Sequence, residues 1–389
     1  MTDTENILNE VLANIAKEQE FENYKTEIAV INSGGANYTS QLFSITLSAP
    51  GKDDLKLFAK IAMIGEKLRS MTTMQVFVTE IVFYTEIIAK YRELEERYNF
   101  AEEVSLVLPK YYGGSPEYLK ETLVLEELTV KGYQPFDRFQ CFDWEYASQC
   151  LSFLARLHAL SVALERDAPE QFTNIIEKLS FQFPMDEMMG FMERGVANAI
   201  SVTAEEHRER LAEFLQENMT EESFTSYYNP KRKVALIHGD FRPSNILHKT
   251  DENGKLKVVV IDYQVIQKGN PLSDLMYFFI CGSDEKFREQ YRHQYFDHYY
   301  EEFSATLKRL DLDPDEVYKK EDFDDDVKTY FKFGLILGVV TLPFVTVDVA
   351  AAPKVEDGID LDSFNMELSN LFRTRFNALV SDYVKWGIL

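Results

Sequence analysis

The sequence is short of cysteine and of positive charge. Its three cysteines, Cys141, Cys150 and Cys281, form no even set and have no metal-ligand spacing. This favours free thiols in a reducing compartment over a disulfide framework or a structural metal site. The 41 lysines and arginines are outnumbered by 65 aspartates and glutamates, which leaves a net charge of −24. Such a chain repels nucleic acid and anionic membranes, so neither is an expected partner.

Long hydrophobic runs are also missing. The longest, residues 333–347, contains Pro343 and is too short and too interrupted to span a bilayer, so we expect a buried helix there. The N-terminus has no basic segment followed by an apolar stretch and does not resemble a secretory signal. We therefore expect a cytoplasmic protein, and the sequence contains no indication of its oligomeric state.

Hydrophobic periodicity divides the chain into two parts. Residues 1–128 combine an amphipathic first helix, β-prone runs within 27–62, a second helix over 77–88, and strands near 106–108 and 122–125. Residues 129–389 are mainly helical, apart from two apolar strands near 234–237 and 256–261. These patterns predict an α+β fold with two lobes, an antiparallel-sheet N-lobe over residues 1–128 and a mainly helical C-lobe over residues 129–389.

The strongest chemical signal is a pair of aspartates at the ends of two predicted strands. Asp240 stands in HGDFRPSN and Asp262 in VVVIDYQ, and the Asn253-Gly254 turn between them predicts a hairpin that brings both loops together. A single aspartate in a turn usually only ends a strand. Together with Asn245, however, these acids supply what phosphoryl transfer from ATP requires. Asp240 is the candidate base for the attacking hydroxyl, and Asp262 and Asn245 are the candidate Mg²⁺ ligands.

The motifs before this pair fit the same chemistry. Lys60 lies in the strand segment LFAKIA, and Glu80 shares the apolar face of the next predicted helix. A lone strand lysine is usually a surface residue, but with such a glutamate it predicts the ion pair that positions the α- and β-phosphates. Glu86 on the same helix is the rival partner, and its place off the apolar face makes Glu80 the better candidate.

A small-residue turn precedes the strand lysine. Ser33, Gly34 and Gly35 begin the segment SGGANYTS, whose backbone N–H groups can cover the phosphates of a nucleotide. The segment is not a G-x-G-x-x-G motif, and taken alone it predicts no more than a turn. We include the three residues among the candidate nucleotide contacts because of their position before Lys60.

The sequence resembles the ecdysteroid kinase-like family of small-molecule kinases, within the aminoglycoside and choline phosphotransferase superfamily. The segments that carry the resemblance are SGGANYTSQLF, FAKIA, FVTEIVFY, LVLEEL, FLARLHALS, LIHGDFRPSNIL, VVVIDYQ and GNPLSDLMYFF. The resemblance implies a two-lobed protein-kinase-like fold with Mg²⁺ and ATP bound between the lobes. It also implies that the backbone of Glu126 and Leu128 contacts the adenine and that Asp274 braces the catalytic loop.

Three more residues lie close to these motifs. Arg242 follows the candidate base by two residues, where many relatives carry tryptophan and protein kinases carry lysine. We count it as a catalytic residue, because a guanidinium there can neutralise charge on the transferred group. His158 and His238 have no Asp-His-Ser or metal-ligand arrangement around them and are interpreted as core hydrogen-bonding histidines. His238 is expected to tie the catalytic loop to Asp274.

Three functions are compatible with these assignments. The leading one is transfer of the γ-phosphate of ATP to a hydroxyl of a small molecule, with a steroid-like alcohol placed ahead of a cation. The first alternative is a choline- or aminoglycoside-type kinase for a cationic alcohol, which the acidity of the chain favours. The second is a catalytically inactive kinase-like binding protein. A protein acceptor is not expected, because the 11 residues between Asp262 and Asp274 leave no room for a protein kinase's docking segment.

Overall fold

The N-terminal part of the chain is an antiparallel sheet with a helix on each face. The computed structural model describes residues 3–32, 40–64, 75–179, 185–228, 232, 234–352 and 367–389. Five strands lie in the order β1-β2-β3-β5-β4. Their bounds, with that of the first helix, are Asp3–Glu18 (α1), Lys25–Ile31 (β1), Ser40–Ser48 (β2), Leu55–Ala62 (β3), Tyr111–Ser115 (β4) and Thr122–Glu126 (β5).

Helix α1 covers one face of this sheet. Leu8 and Leu12 lie on its apolar side and are buried against the strands. Alternate residues of β3 join the same cluster, and Ala59 and Ile61 are among them. Because successive strand residues point to opposite faces, Lys60 between them points away from α1. The first helix therefore fixes the orientation of the strand that carries the lysine.

A helix of three segments packs near the other face of the sheet. Its bounds are Val76–Val82 (α2), a π-helical turn Phe83–Ile87, and Ile88–Arg97 (α3). Such π-helical turns are rare and often occur at functional sites. Glu80 lies just before the turn and is only 1% exposed, so the predicted helix places its glutamate inside the protein.

The prediction of a strand near residues 106–108 is wrong, because the fourth strand begins at Tyr111. The backbone of Leu106 is held by side chains of α3. Its N–H donates to Glu95 Oε1 at 2.7 Å, and its carbonyl accepts from Arg92 Nη2 at 2.6 Å. With both main-chain groups engaged in this way, Leu106 is not available to a β-ladder.

The rest of the chain is mainly helical. Its central helix α4 begins after Asp143, whose side chain accepts a hydrogen bond from the N–H of Tyr146 at 2.9 Å and caps the helix. The predicted boundary after residue 128 falls between β5 and the short strand β6. The bounds of the remaining elements are Gln134–Pro135 (β6), Trp144–Asp167 (α4), Pro169–Lys178 (α5), Met185–Val202 (α6), Glu205–Asn218 (α7), Glu221–Tyr228 (α8), Ala235–Ile237 (β7), Ile246–Thr250 (β8), Leu256–Val260 (β9), Gln267–Gly269 (β10), Pro271–Gly282 (α9), Glu285–Arg309 (α10), Pro314–Val317 (α11), Lys320–Val345 (α12) and Asn370–Lys385 (α13).

Two of these helices, α4 and α12, are long and apolar enough to qualify as membrane spans among the described residues. Most of the apolar stretch is buried inside the protein in both cases, 83% in α4 and 67% in α12. Burial of this kind is typical of the core helices of a folded domain. The buried helix expected over residues 333–347 is confirmed, since α12 covers all but the last two of these residues.

Two strand pairings bring the loops with the candidate site residues to one place. Strands β8 and β9 form an antiparallel hairpin at the predicted turn, although β8 is not among the predicted strands, and Gly254 in the turn has a φ of +76°. Strand β7 pairs with β10. The loop with Asp240 and Asn245 connects β7 to β8, and Asp262 follows β9. The amide N–H of Ile261 donates to the carbonyl of Asn245 at 2.9 Å, which joins the two loops directly.

Leu12→Ala should lower the free energy of unfolding by about 2–5 kcal/mol, because it leaves a cavity between α1 and the sheet. Urea unfolding followed by circular dichroism measures the change. Glu10→Ala, on the exposed side of the same helix, is the control and should change the value by less than about 0.5 kcal/mol. An unchanged midpoint for Leu12→Ala would mean that α1 does not stabilise the sheet.

Candidate active site

A cavity of about 280 Å³ lies between the sheet and the helical part of the chain. Phe58 and Leu125 of the sheet line it, and so do Leu247 and Ile261 of the β8–β9 hairpin region. The polar residues of its lining include Lys60, Glu80, Asn245 and Asp262. A cavity with apolar walls and a few convergent polar groups is the usual form of a small-molecule site.

Lys60 lies at the centre of the charged groups. Its Nζ forms an ion pair with Glu80 and a second one with Asp262 Oδ1 at 2.6 Å, while its side chain is only 7% exposed. Burial alone would lower the pKa of Lys60, but attraction by Asp262 and Glu80 outweighs it and the pKa is raised. The lysine therefore keeps its charge and joins three separate elements, β3, α2 and the segment after β9.

The structure places Glu80, and not Glu86, against the lysine. Glu86 lies in the π-helical turn, partly exposed, and accepts hydrogen bonds from Lys178 at 2.8 and 2.6 Å. Burial raises the pKa of Glu80 to about 7; Lys60 opposes this rise and the charge of Asp262 adds to it. Lys60 thus stabilises the charged form of the Glu80 carboxyl group, which burial disfavours.

Asp262 has a backbone conformation that is unusual for a residue with a side chain. Its φ is +70°, in the left-handed region that only glycine, asparagine and aspartate visit with any frequency. Strain of this kind is concentrated at functional sites. Burial would raise the pKa of Asp262, but the charge of Lys60, followed by that of Arg242, outweighs burial and lowers it. Its carboxylate is therefore charged in the cavity.

The loop that carries Asp240 is held by one buried carboxylate. Asp274, at the start of α9, accepts the N–H groups of His238 at 2.6 Å and Gly239 at 2.8 Å. His158 Nε2 lies 3.2 Å from the same carboxylate, and both side chains are at most 1% exposed. These contacts are the ones expected of a brace for the two residues that precede Asp240.

The expected tie between His238 and Asp274 is made by the main chain of the histidine and not by its ring. Ring Nε2 lies 3.0 Å from the carbonyl oxygen of Ile261, and ring Nδ1 lies 3.2 Å from the amide nitrogen of Asp240. A carbonyl only accepts and an amide N–H only donates, so this ring is neutral with its proton on Nε2. His238 thereby links the candidate base to the residue before Asp262.

Asn245 lines the cavity and connects it to Asp240 by hydrogen bonds. Asn245 Nδ2 donates to Asp240 Oδ2 at 2.9 Å and to the Asp240 carbonyl at 3.0 Å. Arg242 Nε lies 3.2 Å from the Asp240 carboxylate, and the hydroxyl of Tyr277 interacts with it as well. Because the amide nitrogen of Asn245 is turned to Asp240, its Oδ1 is the atom left for a cation.

The segment after β5 contains the two residues expected at the adenine. Glu126 and Leu128 both line the cavity. The N–H of Glu126 donates to the carbonyl of Lys110 at 2.8 Å, so only its carbonyl is available to a ligand. The N–H of Leu128 has no acceptor among the residues that the structure describes. An open N–H suits the ring-nitrogen acceptors of adenine, and a carbonyl suits its amino group.

Two observations complete the placement of the predicted residues. Ser33, Gly34 and Gly35 lie outside the described residues. Phe58, which stands in the segment FAKIA but received no predicted role, lines the cavity on the same face of β3 as Lys60. The alternation of the strand is the signal for it, because a residue two before the lysine must share the lysine's face. An aromatic ring there can stack on a planar base.

Because the pKa of Glu80 is raised, its contribution to the stability of the protein should depend on pH. Its pKa is about 7 in the folded protein against an ordinary value of 4.5, so the folded state binds this proton more tightly. The contribution of Glu80 to stability is therefore lost as the pH rises from about 4.5 to about 7. The free energy of unfolding of wild type minus that of Glu80→Gln should fall across this window, by at most roughly 1.4 kcal/mol per pH unit.

Urea unfolding of both proteins at pH 5, 6 and 7 measures this difference. Glu86→Gln, on the same helix and paired at the surface, is the matched control and should show no such slope. A difference that grows with pH would mean that Lys60 stabilises the carboxylate by more than its burial costs.

Solved structures similar to this chain are aminoglycoside phosphotransferases. The GDP complex of aminoglycoside 2'-phosphotransferase-IIIa has 12% identity over 97% of this chain and 98% of its own, with a TM-score of 0.45. The kanamycin and GDP complex of a related enzyme has 13% identity, coverages of 85% and 90%, and a TM-score of 0.42. An aminoglycoside phosphotransferase from Streptomyces rimosus, with ADP and streptomycin, has 14% identity, coverages of 85% and 97%, and a TM-score of 0.33.

The sequence itself matches one family and no curated protein. The sequence model of the ecdysteroid kinase-like family matches residues 34–312, well over half of the 389 residues. The matched range contains the buried lysine, both of its acidic partners, the loop with Asp240 and the bracing Asp274. The chain belongs to the ecdysteroid kinase-like family.

Proposed function

We propose that this protein is an ATP- and Mg²⁺-dependent kinase that transfers the γ-phosphate of ATP to a hydroxyl group of a small molecule. The observation that carries the proposal is the buried Lys60 with its two carboxylates, Glu80 and Asp262, at a cavity that Asn245 joins to Asp240. Membership of a kinase-like family supports it. The inactive binding protein is not favoured, because Lys60, Asp240, Asn245 and Asp262 are all present in the sequence and none of these candidate groups has been lost.

Asn245 and Asp262 are the residues that would hold Mg²⁺. Both offer oxygen atoms, and Mg²⁺ in kinases takes only one or two carboxylates together with phosphate oxygens and water. In the part of the chain that the structure describes, no three His, Cys, Asp or Glu side chains cluster so as to hold a metal by themselves. When bound, the ion supplies neutralisation of negative charge on the phosphates.

We propose that the phosphates of the nucleotide bind at Lys60 and that its base binds at the segment after β5. Lys60 carries a fixed positive charge, which Glu80 keeps in place. The open N–H of Leu128 serves the base, and the ring of Phe58 supplies an apolar surface for it. The cavity thus offers charged groups for the phosphates and apolar side chains for the base.

Asp240 is proposed to orient the acceptor hydroxyl and to accept its proton. Its carboxylate is held by Asn245 and Arg242 and therefore has one orientation. A positioned carboxylate lowers the barrier by aligning the attacking oxygen and receiving its proton as the new bond forms. Arg242 is 8% exposed and places a guanidinium beside the base, where it can stabilise the charge that develops on the transferred group.

A small acceptor is favoured over a protein by the short segment between Asp262 and Asp274. Its residues Gln267–Gly269 form β10 and pair with β7, so the segment is tied into the body of the protein. Protein kinases use a longer segment at this place to dock a peptide. A segment held in a sheet offers no such platform.

A neutral, steroid-like alcohol is proposed ahead of a cationic one. Arg242 Nε lies 3.2 Å from the carboxylate of Asp240, so a guanidinium group stands beside the proposed base. An acceptor with ammonium groups would meet like charge there, whereas a neutral alcohol would not.

Asp240→Asn should lower turnover about 100-fold or more and leave ATP affinity within about twofold of wild type, because the base touches the acceptor and not the nucleotide. The assay measures Mg-ATP consumption with a panel of steroids, small alcohols, choline and aminoglycosides, and calorimetry measures ATP affinity. Asp53→Asn, in an exposed turn, is the control. Wild-type turnover in Asp240→Asn would exclude it as the base, and transfer only to the cations would reverse the order of acceptors.

Asp262→Ala should weaken binding of ATP at least about tenfold in the presence of Mg²⁺ and much less in its absence, because the carboxylate is proposed to act through the ion. Calorimetric titrations with Mg²⁺ and with EDTA measure the two affinities. Equal losses under both conditions would assign Asp262 a role in holding Lys60 and none at the metal.

A further inference from the structure

Helix α9, which the structure describes in full, is exposed at one residue. Each of its residues from Pro271 to Gly282 is buried except Tyr277, which is partly exposed. The ring of Tyr277 packs against the main hydrophobic core, so its orientation is held by the surrounding side chains. An aromatic residue that is anchored in the core and still partly exposed is suited to contact a ligand.

The position of Tyr277 is fixed by the contacts of α9 with the loop of the proposed base. Asp274, one turn earlier on the same face of the helix, accepts the N–H groups of the two residues that precede Asp240. At the end of the helix, a Cβ added to Gly282 would lie only 2.7 Å from Cγ of Pro243. Helix α9 therefore packs closely along this loop on both sides of Asp240.

The hydroxyl of Tyr277 forms a hydrogen bond with the carboxylate of Asp240. Burial and the charge of Asp240 raise the pKa of Tyr277, so the phenol keeps its proton and is the donor. The other donors to this carboxylate are Asn245 Nδ2 at 2.9 Å and Arg242 Nε at 3.2 Å. A carboxylate has about four lone-pair positions. These three donors leave one of them for the hydroxyl of an acceptor.

An acceptor bound at Asp240 also lies beside the ring of Tyr277. The side chain of Asp240 is 16% exposed, and an acceptor hydroxyl has to come within about 2.6–3.2 Å of a base to give up its proton. Because the Tyr277 hydroxyl bonds to the same carboxylate, the carbon atoms next to the acceptor hydroxyl come close to the tyrosine ring. The ring offers these carbon atoms an apolar surface.

We propose that Tyr277 positions the base through its hydroxyl and lines the acceptor site with its ring. The inference rests on the proposed function. In that reaction the acceptor oxygen bonds to the γ-phosphorus, its proton passes to Asp240, and the bond from this phosphorus to the bridging oxygen of ADP breaks. The Tyr277 hydroxyl neither gains nor loses a proton in this step. It holds the carboxylate in the orientation in which the remaining lone pair faces the acceptor.

The test is single-turnover transfer from Mg-ATP by the 389-residue chain, followed by rapid quench, to the acceptor of the panel that wild type phosphorylates fastest. Tyr277→Phe keeps the ring and should lower the maximal rate about tenfold or more, because a hydrogen bond to a charged group is lost. Its half-saturating acceptor concentration should stay within about twofold of wild type. Tyr277→Leu also lacks the ring and should raise that concentration at least about fivefold.

The matched control is Tyr291→Phe on α10, where the tyrosine ring packs on Trp144, and it should react as wild type does. Calorimetry should find the ATP affinity of both Tyr277 variants within about twofold of wild type, because neither proposed contact is to the nucleotide. A parallel loss of ATP affinity would assign Tyr277 a general structural role and overturn the inference.

A maximal rate of Tyr277→Phe equal to that of wild type would overturn the positioning role, and this variant decides it even if Tyr277→Leu does not fold. An unchanged half-saturating concentration in Tyr277→Leu would overturn the contact between ring and acceptor. Failure of wild type to phosphorylate any acceptor of the panel would instead overturn the proposed function.

Discussion

The buried charge of Lys60 is the constraint on which the rest of the site depends. An ammonium group with so little exposure is tolerated only beside carboxylates, and removal of one partner from a buried pair typically costs about 3–5 kcal/mol. Glu80 comes from the helix near the sheet and Asp262 from the end of β9. The two ion pairs therefore hold the sheet, the helix and the segment after β9 together around the cavity.

Asp274 is the second group on which the site depends, because its hydrogen bonds hold the loop that carries the proposed base. It holds the main chain at His238 and Gly239, and Gly239 has a φ of +83° with the carbonyl oxygen of Val265 only 2.4 Å from where a Cβ would lie. Only glycine fits such a position. The ring of Tyr263 lies 4.7 Å from that of His238 and stacks on Phe83 of the π-helical turn, so the braced loop also packs against the helix of the lysine's partner.

Several of these features could be predicted from local patterns. The alternation of LFAKIA places Lys60 on the face opposite α1, and the spacing of apolar residues places Glu80 on the inner face of its helix. The turn at Asn253-Gly254 joins β8 to β9, with the loop of Asp240 before the hairpin and Asp262 directly after it. Each of these inferences needs only the period of a helix or strand, or the conformation that a turn residue prefers. Such properties belong to short segments, so the segment itself is enough to reveal them.

The sequence by itself thus determined the strand of Lys60, the helix of Glu80 and the face that each of these two side chains occupies. Only the tertiary structure decided which groups meet. The side chains of Arg92 and Glu95 form hydrogen bonds with the main chain of Leu106. These bonds prevent the strand that the apolar residues around Leu106 suggest. Glu127 stands in LVLEEL and Ser244 in HGDFRPSN, two segments far apart in the sequence, and both residues line the same cavity. Contacts of this kind join residues far apart in the chain, and they exist only once the whole core is packed, which no short segment encodes.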